Sequence, residues 1–273
     1  ILAILEDETL AHPPIEAVFT VDEEVGMDGA FALDCSDLKG RKLLNLDSEI
    51  EGVFTVSCAG GMRADCHLPG IMEPVAGMAG YSITLAGLQG GHSGGDIHLG
   101  RASANQVMGR VLYSAMERFR GLRLAAVSGG QFDNVICSRC DAAVAIPAGK
   151  EAEFEAFIAE FDAILKNEYA GCDDGITLKC AKADVTSAVS EAVTNTMLHT
   201  LLALPQGVQA MSVDFPGLTQ TSLNMGVLKL EDDGLHITFS IRSSIASQKE
   251  MLAQRVHAIV EFAGGTVTER GKY

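Results

Sequence analysis

From Tyr81 onward the hydrophobic period of the chain switches between two and 3.6 in a fixed order, and that order constrains the fold more than any single motif. Strand-like "YSITLAGLQ" leads to a helix over about 101–119, strands near 122–128 and 135–146, a helix over 151–168 and a strand around 176–182. A second set follows, with a helix over 187–204, strands near 207–213, 221–230 and 235–242, and a helix over 248–262. In "EAEFEAFIAEFDAILK", Phe154, Phe157, Ile158, Phe161 and Ile164 share one stripe. That spacing predicts a helix packed on a sheet. The whole pattern predicts two α+β units side by side.

The first fifty residues follow a different rule. Ile1, Leu2, Ile4 and Leu5 fall at helical spacing, and Pro13 and Pro14 end that helix near His12. "IEAVFTV" then alternates as a strand, leaving Asp22, Glu23 and Glu24 at its carboxyl end. "KLLNLDSE" places Asp47 at the end of a second strand. In an open parallel sheet the ligand crevice lies beyond the carboxyl ends of the strands, where such acids converge. Convergent carboxylates suit a divalent metal, and solvated turn acids are the competing explanation.

At 273 residues the chain is long for one domain and short for three, and its 47% hydrophobic content suffices for a buried core. The net charge of −16 repels phosphate backbones and anionic membrane surfaces, so nucleic acid is not expected as a partner. No apolar run reaches the roughly 20 residues that cross a bilayer, and the start lacks the basic region of a signal peptide, which predicts a cytoplasmic protein. The seven cysteines are odd in number and scattered, unlike a disulfide framework. "CSRC" at 137–140 has C-x-x-C spacing, but no second pair completes a zinc site, so it reads as structural.

"GLQGGHSGGDIHLG", residues 87–100, surrounds His92 with glycines that leave the backbone free to bend or close over a ligand. A flexible connection is the plainer explanation, and phosphate binding is weak because the run lacks the G-K-[ST] of a P-loop. His98 reads as a surface or helix-start residue, and the remaining histidines carry no ligand spacing. Asn134 in "GGQFDNVI" reads as a turn residue, and Arg242 in "ITFSIRSS" as a strand-end charge.

"TVDEEVGMDGA", "LLNLDSEIEG", "GGHSGGDIHLGRASAN", "NVICSRCDAAVAIP" and "TSLNMGVLKLEDDGLHITFSIRSS", in that order, resemble the M20 family of metallopeptidases, and within it the Xaa-His dipeptidases. The similarity spans nearly the whole chain. It implies zinc-dependent dipeptide hydrolysis, with two zinc ions per complete site, Glu23 as general base, and Glu24 and Asp47 as metal ligands. It further implies that His92 donates to the oxyanion, and that Asn134 and Arg242 hold a short peptide by its free C-terminal carboxylate. Asp22 matches no ligand role and is expected to orient the turn.

The fold class implied is α/β plus α+β: a partial parallel-sheet catalytic domain over residues 1–50, followed by a lid over 51–273. That lid is expected to be two ferredoxin-like α+β units divided near residue 185. The resembling family also places metal ligands before residue 1 and after residue 273. The chain therefore reads as an internal fragment, expected by itself to bind zinc weakly, to hydrolyse little, and to associate through exposed sheet edges. Two alternatives stand beside this reading: another M20 hydrolase acting on tripeptides or N-acyl amino acids, and a non-catalytic lid or oligomerisation module.

Overall fold

The computed structural model describes residues 1–23, 27–45 and 51–273. The chain divides into two compact units, Ile1–Cys58 and Ala59–Tyr273.

The described part of the first unit contains two short helices, α1 (Leu2–Glu6) and α2 (Asp28–Phe31). Neither buries a residue. The helix expected to run to His12 stops at Glu6, where Asp7 turns to extended backbone. Its own carboxylate accepts from the amide and hydroxyl of Thr9 at 2.8 and 2.6 Å, a local bond that competes with helix propagation. The strand expected over 15–21 is absent, and 42–45 is likewise irregular. The partial parallel sheet is therefore corrected for the described residues. Alternation marks a surface that can pair, but a strand exists only as part of a ladder, and neither segment is laddered to a strand among the described residues.

The second unit carries β1 (Gly60–Pro69), β2 (Met72–Pro74), β3 (Met78–Ala86), β4 (Gly91–His92), a 3-10 turn (Ile97–Leu99), α3 (Ala104–Arg118), β5 (Arg123–Gly129), β6 (Val135–Ile136) and β7 (Cys140–Pro147). After them come α4 (Glu151–Glu168), β8 (Thr177–Lys182), β9 (Ser187–Val189), α5 (Glu191–Ala203), β10 (Gly207–Met211), β11 (Thr219–Glu231), β12 (Gly234–Ser243), α6 (Ala246–Phe262) and β13 (Thr266–Arg270).

Nine strands form one antiparallel sheet in the order β13-β1-β12-β11-β5-β7-β3-β8, with β10 also on β11. Two βαββαβ motifs are visible in that order. β3, α3, β5, β7, α4 and β8 form one, inserted whole between the first strand and first helix of the other, which is β1, α5, β11, β12, α6 and β13. Strands β5 and β11 join them edge to edge, with Leu228 opposite Gly129 and Lys229 opposite Ser128. Asn105 of α3 staples this seam. Its Nδ2 donates to the carbonyls of Gly129 and Met225 at 3.2 and 3.0 Å.

The alternation of β1 explains how the sheet is oriented. Met62, Ala64, Cys66 and Leu68 are buried, while Arg63, Asp65 and His67 between them lie on the more open face. Helix α4 lays Phe154, Phe157, Ile158, Phe161 and Leu165 into the core; Ile164, expected on this stripe, is 36% exposed, because the stripe follows 3.6-residue turns to Leu165. Phe119 meets Phe154 and Phe157 edge-on at 5.3 and 5.7 Å. Such pairs contribute about 0.5–1.5 kcal/mol each beyond area burial.

Candidate active site

His92 lies in β4, a two-residue ladder with β6 that sets Gly91 opposite Ile136 and His92 opposite Val135. The Ser93 amide donates to the Asn134 carbonyl at 2.8 Å, so the glycine-rich loop and the Asn134 turn are one hydrogen-bonded unit. The loop is braced internally. Asp96 Oδ2 accepts from the His92 amide at 2.9 Å, and His92 Nδ1 accepts from the Gly95 amide at 3.2 Å. That leaves the opposite edge of the imidazole for a ligand. Arg101 Nη1 donates to the Gly90 carbonyl at 2.7 Å and lies 3.4 Å from Asp96.

The base of the loop is held by Asp173, which is fully buried. Its Oδ1 accepts from the Gln89 amide and its Oδ2 from the Ala102 amide, both at 2.7 Å. One carboxylate thus ties the entry of the loop to its exit. Asn224 of β11 does the equivalent work for Asn134. Its Nδ2 donates to the carbonyls of Asp133 and Val135 at 2.8 Å each, while Gln206 donates to its Oδ1 at 3.2 Å. Arg63 also pairs with Asp133.

Arg242 reaches the same place from β12. A Cβ built on Gly94 would lie 2.9 Å from His92 Cε1 and 3.4 Å from Arg242 Cζ, so imidazole and guanidinium flank one glycine. Nη1 of Arg242 donates to the Tyr273 hydroxyl at 3.3 Å, whereas its buried Nε has no hydrogen-bond partner among the described residues. A half-buried guanidinium with an unpaired N–H is suited to an anionic ligand. His92, Asn134 and Arg242 therefore come together, although they stand far apart in sequence.

The other expected site residues belong to the first unit. Glu23 is exposed in the turn before α2 and follows no strand. Asp22 adopts a left-handed φ of 60°, and its carbonyl accepts from the Met27 amide at 2.7 Å. Glu24 and Asp47, the expected metal ligands, lie outside the described residues. Among the described residues, one group of His, Cys, Asp or Glu can converge on a cation: His67, Asp233 and His236.

Three residues of the site escaped the sequence reading. Asp173 and Asn224 sit in "GCDDG" and "TSLNMG", where only the folded sheet reveals what they clamp. Asp96 had a local signal, an acid four residues after the loop histidine. His98 lies exposed in the 3-10 turn, in keeping with a surface role. Cys137 and Cys140 are buried, and burial pushes both thiols upward, which disfavours the thiolate that metal binding requires.

Residues 83–172 match the peptidase dimerisation domain of the M20 group. The kinship reaches further than that segment. Over 275 residues the chain is 36% identical to the cytosol non-specific dipeptidase of Escherichia coli (strain K12), an alignment covering 100% of this chain and 56% of that protein. The crystal structure of aminoacylhistidine dipeptidase from Vibrio alginolyticus matches with a TM-score of 0.84 at 35% identity, covering 100% of this chain and 56% of the other. The M20 resemblance carried by the motifs is thereby shown, and the chain spans just over half the length of these relatives.

Proposed function

We propose that this chain belongs to a zinc-dependent dipeptidase that hydrolyses Xaa-His dipeptides. The observation that carries the reading is that His92 and Arg242 flank Gly94 while the Asn134 carbonyl accepts from the neighbouring Ser93 amide. Arg242 receives the terminal carboxylate of a short peptide in a planar, charge-assisted pair, which an internal peptide bond cannot supply. Asn134 orients the substrate backbone. His92 donates to the oxygen of the scissile carbonyl as negative charge develops there, a contribution of several kcal/mol when the donor is already in position.

Glu23, by its resemblance to the M20 general base, takes the proton of the attacking water and delivers it to the leaving amine. Glu24 and Asp47 would hold divalent zinc, which supplies a water that is nucleophilic near neutral pH. Residues 51–273 would serve as the lid. A homo-oligomer formed through the dimerisation domain and a cytoplasmic location complete the proposal.

The test is a panel of Xaa-His dipeptides, tripeptides and N-acyl amino acids, run with the whole dipeptidase to which this chain is proposed to belong and with its His92→Ala variant. Preferential cleavage of Xaa-His dipeptides, reduced by about two orders of magnitude in the variant, supports the reading. Preference for N-acyl amino acids would move the protein to another M20 activity. Turnover of nothing in the panel, with zinc present, would favour an assembly role.

A further inference from the structure

A second polar cluster lies at the far end of the strands that carry Arg242. His67 of β1 stands directly opposite His236 of β12 in the antiparallel register, on the open face of the sheet. His236 and Arg242 lie six positions apart on β12, about 20 Å at the rise of an extended strand. The cluster is therefore separate from the surroundings of His92.

The two imidazoles stack with centroids 4.7 Å apart and planes inclined by 28°. Both turn Nε2 toward one carboxylate. His236 Nε2 is 2.8 Å from Asp233 Oδ1, and His67 Nε2 is 3.7 Å from Asp233 Oδ2 and 3.1 Å from the Asp233 carbonyl. Asp233 is fixed at its backbone, since the Gly70 amide donates to its carbonyl at 3.1 Å. Gly234 permits this approach. Its φ is 143°, and a Cβ there would lie 2.1 Å from the Leu68 carbonyl.

We infer that His67, Asp233 and His236 form a binding site for a divalent cation of the zinc, cobalt, nickel and copper class. One donor atom from each lies within 4.8 Å of the others. Donors that share a tetrahedral metal at about 2.1 Å stand about 3.4 Å apart, so the three must close in by up to about 1.4 Å. Asp233 can provide that movement, because its side chain is 65% exposed while its backbone stays anchored. Two imidazoles and one carboxylate suit borderline ions better than calcium or magnesium, which favour all-oxygen sites. The surroundings attract a cation. Glu231 Oε2 lies 3.9 Å from His236 Nε2, and the nearby Lys229 is already paired to Glu231 Oε1 at 2.6 Å. Water completes the coordination. Binding replaces two hydrogen bonds that now crowd one acidic residue with metal–ligand bonds.

The experiment is a titration of chelator-stripped protein with Zn²⁺ by calorimetry and with Co²⁺ by visible absorption, beside His67→Gln, His236→Gln and Glu24→Ala. Because both imidazoles are partly exposed, the His variants should keep the melting midpoint of the parent in chelator. The expected result is one ion whose affinity falls about tenfold or more in each His variant. It persists in Glu24→Ala, so the outcome is independent of the ligands proposed for catalysis. Affinity unchanged in His236→Gln, or no bound ion in the parent at about millimolar Zn²⁺, overturns the assignment.

Discussion

Asn224 holds Asn134 from both sides: its side-chain amide donates to the carbonyl before that residue and to the carbonyl after it, at 2.8 Å each. Asn224 is 1% exposed, so neither bond is shared with bulk solvent. Asn224→Asp removes the donor and points a carboxylate at two carbonyl oxygens. Leaving buried polar groups unpaired in this way costs about 1–3 kcal/mol. Urea unfolding should show that loss, and amide exchange over 133–136 should accelerate beyond what global destabilisation explains. Unchanged local exchange would remove Asn224 from the positioning of Asn134.

Asp173 invites a parallel experiment on the other side of the site. Asp173→Asn keeps one acceptor oxygen and presents an NH₂ to the second backbone amide, opening one end of the 89–102 loop. We expect about 2 kcal/mol of destabilisation and new proteolytic cleavage within 91–100. A variant as protease-resistant as the parent would show that the remaining bonds of Asp96 and Arg101 suffice to close the loop.

Gly94 and Gly226 separate activity from stability. The Cβ of Gly226→Ala would lie 2.5 Å from both Cα and O of Asp133, a backbone collision that no rotamer relieves. A cost of about 2 kcal/mol or more is expected in urea unfolding. Gly94 is exposed, and its Cβ would press on His92 Cε1 at 2.9 Å. Gly94→Ala should leave stability within about 0.5 kcal/mol and lower kcat/KM for dipeptides about tenfold, roughly 1.4 kcal/mol at the transition state. A kinetically silent Gly94→Ala would argue against a working role for the His92 ring orientation.

The fold was legible where one segment carries its own period. Helix α4 declares itself through the phenylalanine stripe, and its predicted limits of 151 and 168 match the structure. Strand β1 escaped attention although Met62, Ala64, Cys66 and Leu68 alternate cleanly, because glycines and charges dilute the run. Missing it hid the insertion of one βαββαβ motif within the other. Strand β9 was absorbed into the predicted helix over 187–204. The true start is marked by Ser190, whose Oγ accepts from the Val193 amide at 3.2 Å. The converse error occurred over 15–21, where alternation found no partner strand among the described residues. His92, Asn134 and Arg242 were expected from their motifs, and the fold brings their segments together, whereas Asp173 and Asn224 bind backbone groups far away in sequence, which periodicity cannot report.

Asp162 provides a test of pH dependence. Burial raises its carboxyl, but the Leu178 amide at 2.8 Å and the Lys166 ammonium at 2.7 Å together outweigh this and hold it below the usual carboxylate range. A value lower in the folded protein than in the unfolded chain means that the unfolded chain binds more protons in acid. The stabilisation is therefore complete above the unfolded value of about 3.9 and is lost as pH falls through the folded value. Asp162→Asn removes the titration at its source. The stability gap between parent and variant, measured by urea unfolding, should be largest near about pH 6 and should close steadily below about pH 4. A gap independent of pH would mean that the carboxylate supports β8 as a hydrogen-bond acceptor alone, with its charge contributing nothing.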